Sequence, residues 1–246
     1  MSPNTVLITG ANRGLGLGLT QRFLKDTNNT VIAAVRSPEH ETTKALSDLP
    51  KGSGSKLIVA KYDATVEQDA FDLVKELKEK HGIKQLDTVI ANAGTAKLHP
   101  LVKDVKRQDI QEHIELNAYS VVSLYQATRQ LLQSSAKPVF APMGSGAGSL
   151  GRQPLVPNAA YGPSKALLPW YAIRINAEDE WLTTFVLDPG FVQTDTGNSA
   201  ARVFGMKEAP TAIDESTDGL YKVITTATRK QYGGKVVLYT GEVQVY

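Results

Sequence analysis

A tyrosine and a lysine stand four residues apart in YGPSK, Tyr161 and Lys165. On a helix that spacing puts a phenol and an ammonium on one face, one turn from each other. A phenol has an ordinary pKa of about 10, and nearby positive charge favours its ionised form, so such a pair can be tuned to move protons near neutral pH. Upstream, ITGANRGLGLGL (Ile8 to Leu19) carries glycine at 10, 14, 16 and 18, where an apolar run passes into a helical pattern. Gly10 can close the turn after a strand, Gly14 lets a pyrophosphate reach the backbone, and Gly16 lets the helix lie close to the sheet, its N-terminus facing the phosphates. A tight turn without a ligand would use glycine for the same geometry, so the weight falls on the later segments of the chain.

Three more segments follow apolar runs in order: ANAG (Ala91 to Gly94), GSGAGSLG (Gly144 to Gly151) and DPGFVQT (Asp188 to Thr194). The runs TVLIT, TVIAAV, KLIVAKY, LDTVIA, KPVFAPM, WLTTFVL and GKVVLY read as seven buried strands, separated by amphipathic helical patterns such as Glu67 to Lys80. Strand alternating with helix predicts a parallel sheet. The expected fold is therefore α/β: a doubly wound Rossmann sheet of seven strands flanked by helices, three layers α/β/α, in one dinucleotide-binding domain over residues 1–246. Ligands of such sheets sit at the carboxyl ends of the strands, where the three segments fall. AGSLG (Ala147 to Gly151) is close to the GxSxG elbow of α/β-hydrolases, which would make Ser149 a nucleophile. That fold needs a histidine after the serine, and all four histidines, at 40, 81, 99 and 113, precede it.

The 246 residues, 41% of them apolar, suffice for one sizeable core. With 27 basic against 25 acidic residues and no basic block, no nucleic-acid partner is expected. The absence of cysteine excludes disulfides and thiolate chemistry, and the histidines lack ligand spacing, so no metal is expected. No run of about 18 apolar residues occurs and the first strand starts by Thr5, so a cytoplasmic protein without membrane association is expected.

Taken in order, TGxxxGxG, NAG, Ser145, YxxxK and PGxVxT resemble the short-chain dehydrogenase/reductase family across nearly the whole chain. The ITGANRGLG opening and the DPGFVQTD run are most similar to its fungal norsolorinic-acid ketoreductase-like branch and to the C-factor and sniffer carbonyl reductases. The resemblance implies Tyr161 as catalytic acid/base and Lys165 as the residue that lowers its pKa and holds the nicotinamide ribose. It implies Ser145 as the group orienting the substrate oxygen and Asn117, in IELNAYS, as the holder of a relay water. The implied cofactor cleft is built from Gly10, Asn12, Arg13, Gly14, Leu15 and Gly16, then Arg36, Ser37, Asp63, Ala64, Asn92, Ala93 and Gly94. Tyr161, Lys165, Pro189, Gly190, Val192 and Thr194 complete its nicotinamide end. An NAD enzyme of this fold usually ends its second strand on an acidic residue, whereas AAVRSP offers Arg36 and Ser37. With Arg13, two guanidinium forks can meet a 2′-phosphate, so the expected cofactor is NADPH/NADP+.

The expected activity is reduction of a small-molecule carbonyl substrate by hydride transfer, with the proton from Tyr161. The alternative is an NADP-binding sensor without turnover, against which the retention of both Tyr161 and Lys165 counts. Three loops, at 95–100, 146–157 and 191–210, must wall the substrate pocket, and their larger side chains are mainly apolar. Leu98, Leu155, Val156, Phe191, Val203 and Phe204 are the candidate contacts for a bulky, uncharged, aromatic ketone, and the 191–210 loop is expected to act as a lid. The step from Ser145 to Tyr161 is too short for a covering helix, so the helices at 121–132 and 167–175 should keep apolar outer faces, Leu168 and Trp170 among them, and form a homodimer. Two prolines depart from pattern. Pro142 predicts a bulge in the fifth strand, and Pro169 removes the bond to the Lys165 carbonyl and should kink the catalytic helix.

Overall fold

The computed structural model describes residues 4–154 and 156–246, so Leu155, one of the candidate substrate contacts, lies outside the described residues. The chain begins β1 (Asn4–Thr9), α1 (Gly14–Lys25), β2 (Asn29–Val35), α2 (Glu41–Lys44), β3 (Lys56–Lys61), α3 (Glu67–Glu79) and β4 (Thr88–Ala91). Next come α4 (Arg107–Ile114), a π-helical turn over Glu115–Tyr119, α5 (Ser120–Gln133), β5 (Val139–Pro142) and α6 (Tyr161–Glu178). The last part holds β6 (Thr183–Thr184), β7 (Val186–Asp188), α7 (Asp195–Val203), α8 (Ile213–Thr226), α9 (Arg229–Tyr232), β8 (Val236–Leu238) and β9 (Val243–Gln244). No helix among the described residues is long and apolar enough to cross a membrane.

The central sheet has the order β3-β2-β1-β4-β5-β6, every pair parallel. Its inner strands β2, β1, β4 and β5 are buried on both faces, which is why they read as unbroken apolar runs, whereas the edge strand β3 exposes Lys56, Val59 and Lys61. In β1, Val6 and Ile8 join Leu19 and Phe23 of α1 and Leu220 and Val223 of α8 on one side. Leu7 points the other way, into a core with Leu73 of α3, Leu124 of α5 and Leu168 of α6. The two-residue period thus divides one apolar run between two helical layers. Strand order reverses between β1 and β4, and the crevice at their carboxyl ends is the place where open sheets take ligands.

The sheet departs from the expected seven strands in two respects. WLTTFVL is split at Phe185 into β6 and β7, and β7 pairs with β8, which pairs antiparallel with the unforeseen β9. Pro142 explains the split. Along β5 the register is constant, with Phe140 opposite Thr184 before the break and Met143 opposite Leu187 after it, so no residue is inserted and the expected bulge is absent. The Gly144 N–H donates to the Leu187 carbonyl at 2.7 Å. Two residues earlier, the ladder calls for a donor at position 142 to reach the Phe185 carbonyl, and proline has none. Pro169 leaves α6 continuous from Tyr161 to Glu178.

Candidate active site

The glycine turn and the NAG segment are built against each other at the ends of β1 and β4. Gly10 has a φ of 63°, and a Cβ there would lie 3.2 Å from the Ala93 Cα. At Gly16 a Cβ would sit 2.1 Å from the Gly10 carbonyl oxygen, so only glycine lets α1 start so close to the strand. Asn92 Nδ2 donates to the Thr9 carbonyl at 2.8 Å and to the Gly10 carbonyl at 3.3 Å. The N–H groups of Asn92 and Ala93 both donate to Thr9 Oγ1, at 3.0 and 2.9 Å. Across the crevice, a Cβ on Gly14 would lie 3.3 Å from Thr194 Cγ2, which brings the turn after β7 beside the glycine turn. Pro189 and Val192 are buried in that turn and Gly190 has a φ of 77°.

The residues around the crevice fit a dinucleotide carrying an extra phosphate. α1 starts at Gly14 with no side-chain cap and no acid in its first turn, so its first N–H groups and positive dipole end are left for an anion. Leu15 is half-buried in this turn, while Arg13, Arg36 and Ser37 are exposed beside the crevice. Asn12 is engaged by the protein itself, donating from Nδ2 to Thr42 Oγ1 at 2.7 Å and to Thr43 Oγ1 at 3.3 Å, which ties the turn to α2. Asp63 accepts from the Thr65 N–H and hydroxyl at 3.0 and 2.7 Å. Burial works against its charge, but those bonds and the nearby Arg36 and Lys61 hold its carboxyl below the usual range. Ala64 lines a separate cavity of about 260 Å³ with Glu67, Tyr119 and Tyr171.

The catalytic candidates meet at the end of β5. Lys165 is 6% exposed, and its Nζ donates to the Met143 carbonyl at 2.7 Å. That acceptor is free because β4 stops: Met143 N–H still reaches the Ala91 carbonyl, but the Ala93 N–H, next in the ladder, goes to Thr9. Asn117 is fully buried in the π-helical turn, where Oδ1 accepts from the Thr95 N–H at 2.8 Å. Its Nδ2 donates to the Thr95 carbonyl and to Ser164 Oγ, both at 2.9 Å. A Cβ on Gly94 would lie 2.9 Å from Asn117 Oδ1 and 3.5 Å from Lys165 Nζ, so these three residues share one spot. Ser145 caps the short turn over Gly146–Gly148, its Oγ accepting from Ala147 N–H at 3.2 Å.

Burial pushes the Tyr161 phenol up to about 12, the Ser145 hydroxyl beside it pulls the other way, and the Asp188 carboxylate adds to the rise. Burial alone pushes the Lys165 ammonium down to about 8. The expected lowering of the tyrosine by the lysine is therefore not what the protein's own groups produce. Nζ is bonded to Met143 and lies 5.8 Å from the tyrosine ring centroid, and desolvation outweighs its charge.

Sequence reasoning gave no role to Asp188 and Arg152. Asp188 is buried, accepts from the Gly190 N–H at 3.0 Å and is met by Arg152 Nη2 at 3.7 Å. The one signal was an aspartate preceding Pro-Gly at a strand end, and its arginine partner comes from a distant loop. Ser149, the elbow candidate, donates to the Val245 carbonyl at 3.3 Å.

On the substrate side, Phe191 and Phe204 are half-buried with ring centroids 6.4 Å apart, and Phe204 meets His99 edge-on at 5.1 Å. Val156 is half-buried, whereas Leu98 and Val203 are 47% and 60% exposed. The 191–210 segment is no plain loop. α7 fills its middle, capped by Thr194 Oγ1 accepting from the Gly197 N–H at 3.0 Å, and bonds from Gln193 and Thr211 N–H, both 2.9 Å, close its base. The expected outer face also needs correction. Leu168 is fully buried in the core, because the helical period turns it inward, and α5 shows Gln126, Arg129 and Gln130 to solvent. Trp170 and Ile173 of α6 are exposed.

Glycine turn, NAG segment, half-buried Tyr161 with buried Lys165, and Pro-Gly turn thus line one crevice of a parallel sheet. The chain belongs to the short chain dehydrogenase family, whose model matches residues 4–202. It is 41% identical over 240 residues to the norsolorinic acid ketoreductase of Dothistroma septosporum, with 96% of this chain and 89% of that one covered. An NADPH-bound carbonyl reductase from chicken fatty liver has a similar structure, with a TM-score of 0.86 at 25% identity and 100% of both chains covered. The carbonyl reductase Sniffer of D. melanogaster also gives 0.86 at 25% identity, over 99% of this chain and 100% of that one.

Proposed function

We propose that this protein is an NADPH-dependent carbonyl reductase that converts bulky, apolar aryl ketones or aldehydes to alcohols. The observation that carries this reading is the meeting of three groups after β5: the half-buried Tyr161, Ser145 beside its phenol, and Lys165 with Nζ 5.8 Å from its ring. When bound, the reduced nicotinamide supplies the hydride for the carbonyl carbon. Tyr161 gives its proton to the oxygen as negative charge develops there, and Ser145, whose hydroxyl draws the phenol pKa down against burial, favours that transfer. Ser145 orients the carbonyl oxygen through its hydroxyl. Lys165 offers an ammonium to the ribose hydroxyls, and Asn117 holds the Gly94–Thr95 backbone that borders them. Arg13, Arg36 and Ser37 would hold the 2′-phosphate, and Phe191, Phe204 and Val156 would wall the ketone. The NADPH in the chicken liver relative and the ketone named for the fungal relative support the cofactor and substrate class.

The test is a panel of aryl and aliphatic carbonyl compounds incubated with the purified protein and NADPH, followed by loss of the reduced-nicotinamide absorbance. Turnover strongest on bulky aryl ketones is expected. NADPH binding without oxidation by any of the carbonyls would overturn the reading.

A further inference from the structure

Asp188, at the end of β7, is 2% exposed, and no step of the proposed reduction uses its carboxyl group. Its oxygens join two segments of the crevice. Oδ1 accepts from the Gly190 N–H at 3.0 Å, on the Pro-Gly turn, and the Gly146 N–H, next to Ser145, donates to the same carboxylate. Arg152 Nη2 stands 3.7 Å from Oδ2. A Cβ at Gly146 would lie 3.2 Å from Asp188 Oδ2 and 3.1 Å from Arg152 Nη2, so serine loop, carboxylate and guanidinium converge on one point. The backbone of Arg152 is fixed from behind. Its N–H donates to Ser149 Oγ at 3.0 Å, Ser149 Oγ donates to the Val245 carbonyl at 3.3 Å, and the Gly151 N–H donates to the Tyr246 carbonyl at 2.6 Å.

A carboxylate can accept from two N–H groups at once, which suits it to brace two loops, but its buried charge is costly unless it is paired. Burial pushes the Asp188 carboxyl up, and the two N–H groups and Arg152 pull it back. The charge also reaches the proton donor, since the Asp188 carboxylate adds to burial in raising the Tyr161 phenol, against the Ser145 hydroxyl. The groups around that phenol come from four elements: Lys165 from its own helix, Ser145 and Arg152 from the loop after β5, Asp188 from β7, and the neutral Asn117 from the π-helical turn. Lys165 Nζ is bonded to the Met143 carbonyl. Asp188 therefore opposes the phenolate, and Arg152 is placed to offset it. With its side chain 55% exposed, Arg152 is screened by water and offsets only part of the charge.

We propose that Asp188 and Arg152 are positioning residues that act through Ser145 and Tyr161: the carboxylate ties the serine loop to the Pro-Gly turn, and the guanidinium offsets its charge so that the phenol can release its proton. The proposal rests on the carbonyl-reductase reading and places control of the proton donor on a pair outside the Tyr161–Lys165 helix.

The experiment uses wild type, Arg152→Gln, Asp188→Asn and the double variant, each with NADP+ present. The ring-carbon resonance of isotope-labelled Tyr161, assigned with Tyr161→Phe, is followed from about pH 7 to 11. Asp188→Asn keeps the volume and one acceptor while removing the charge, so the phenol should ionise about one pH unit lower, the effect of losing a nearby like charge. Arg152→Gln should move it up by a smaller amount, and that step should disappear once Asp188→Asn is also present. In steady-state reduction of an aryl ketone with NADPH, Arg152→Gln should lose about threefold to tenfold in kcat with KM little changed, and adding Asp188→Asn should restore part of the loss. A brace without electrostatic influence predicts further loss in the double variant and no change in phenol ionisation. An unmoved phenol in Asp188→Asn, a downward move in Arg152→Gln, or a double variant worse than either single one would each overturn the proposal. If the phenol moves as stated while no carbonyl is reduced, the carbonyl-reductase reading fails and the coupling of Asp188 and Arg152 to Tyr161 stands.

Discussion

Replacing Lys165 by methionine should make the protein more stable at neutral pH while ruining the site. The side chain is 6% exposed, and burial lowers its pKa from 10.5 to about 8. At about 1.4 kcal/mol for each tenfold change, holding the ammonium in the fold at pH 7 costs about 3 kcal/mol relative to the unfolded chain. Methionine fills a similar volume without that cost. Against this stands the bond from Nζ to the Met143 carbonyl at 2.7 Å, whose loss leaves an acceptor unpaired at about 1–2 kcal/mol. The net expectation at pH 7 is a gain of about 1–2 kcal/mol, or roughly 2–8 °C in melting temperature for a chain of this size. The pH dependence carries the sign. Between about 8 and 10.5 the unfolded chain keeps the lysine proton and the folded chain has released it, so the unfolded state binds more protons and wild-type stability climbs with pH. Lys165→Met has no such step, so its advantage should shrink above pH 8 and reverse before pH 10. Urea unfolding of both proteins from pH 7 to 9.5 measures the difference, in which the tyrosines common to both cancel. A variant less stable than wild type at pH 7, or a difference that does not change with pH, would refute the argument that desolvation governs this lysine.

Tyr161→Phe should keep the fold and NADPH binding but lose about 100-fold or more in kcat, the scale of a missing general acid, as steady-state kinetics with an aryl ketone would show. Arg36→Asp should shift the kcat/KM ratio away from NADPH towards NADH by tenfold or more, because a charge-assisted phosphate contact is replaced by repulsion; unchanged preference would remove Arg36 from the phosphate site. Thr9→Val leaves the Asn92 and Ala93 N–H groups without their shared acceptor, so urea unfolding should show a loss of about 2 kcal/mol, with a fall in kcat as Ala93 competes for the Met143 carbonyl. Light scattering at micromolar concentration should give a dimer, and Trp170→Glu on the exposed face of α6 should give a monomer of unchanged melting temperature.

The features that could be read from the sequence were those that depend on residue type at fixed spacing. Gly10 and Gly16 were legible because a side chain at Gly10 would be strained in the left-handed region and crowded by Ala93, and one at Gly16 would place Cβ 2.1 Å from the Gly10 carbonyl oxygen. Tyr161 and Lys165 were legible because a helix fixes their separation. The split of β6 from β7 was not, since its cause, Pro142, lies on the neighbouring strand and acts through a missing donor. Leu168 was misplaced by assigning an outer face from apolarity, when the position of α6 on the sheet turns Trp170 out and Leu168 in. α7 left a signal that went unread, a threonine followed by an acid at the start of TDTGNSAARV, which is how a helix N-terminus announces itself. The protonation states of the site could not be read at all, because desolvation is set by the surrounding fold.

The candidate site lies where regular hydrogen bonding is interrupted, and the end of β4 frees a backbone group for one of its side chains. β4 ends because the Thr9 hydroxyl takes the next two N–H groups, which leaves the Met143 carbonyl for Lys165. The backbone at Thr95, beyond the end of β4, is paired by the amide of Asn117, which a π-helical turn places there. Pro142 opens the ladder between β5 and β6 just before Ser145, and the loop after it is secured by its own short turn and by Asp188 with Arg152. A sheet continued regularly for two more residues would have no carbonyl at Met143 for the ammonium to bond. The proposed catalytic geometry depends on where the strands stop as much as on which side chains come after them, so substitutions that repair the ladder should damage the site even where they leave Tyr161 and Lys165 untouched.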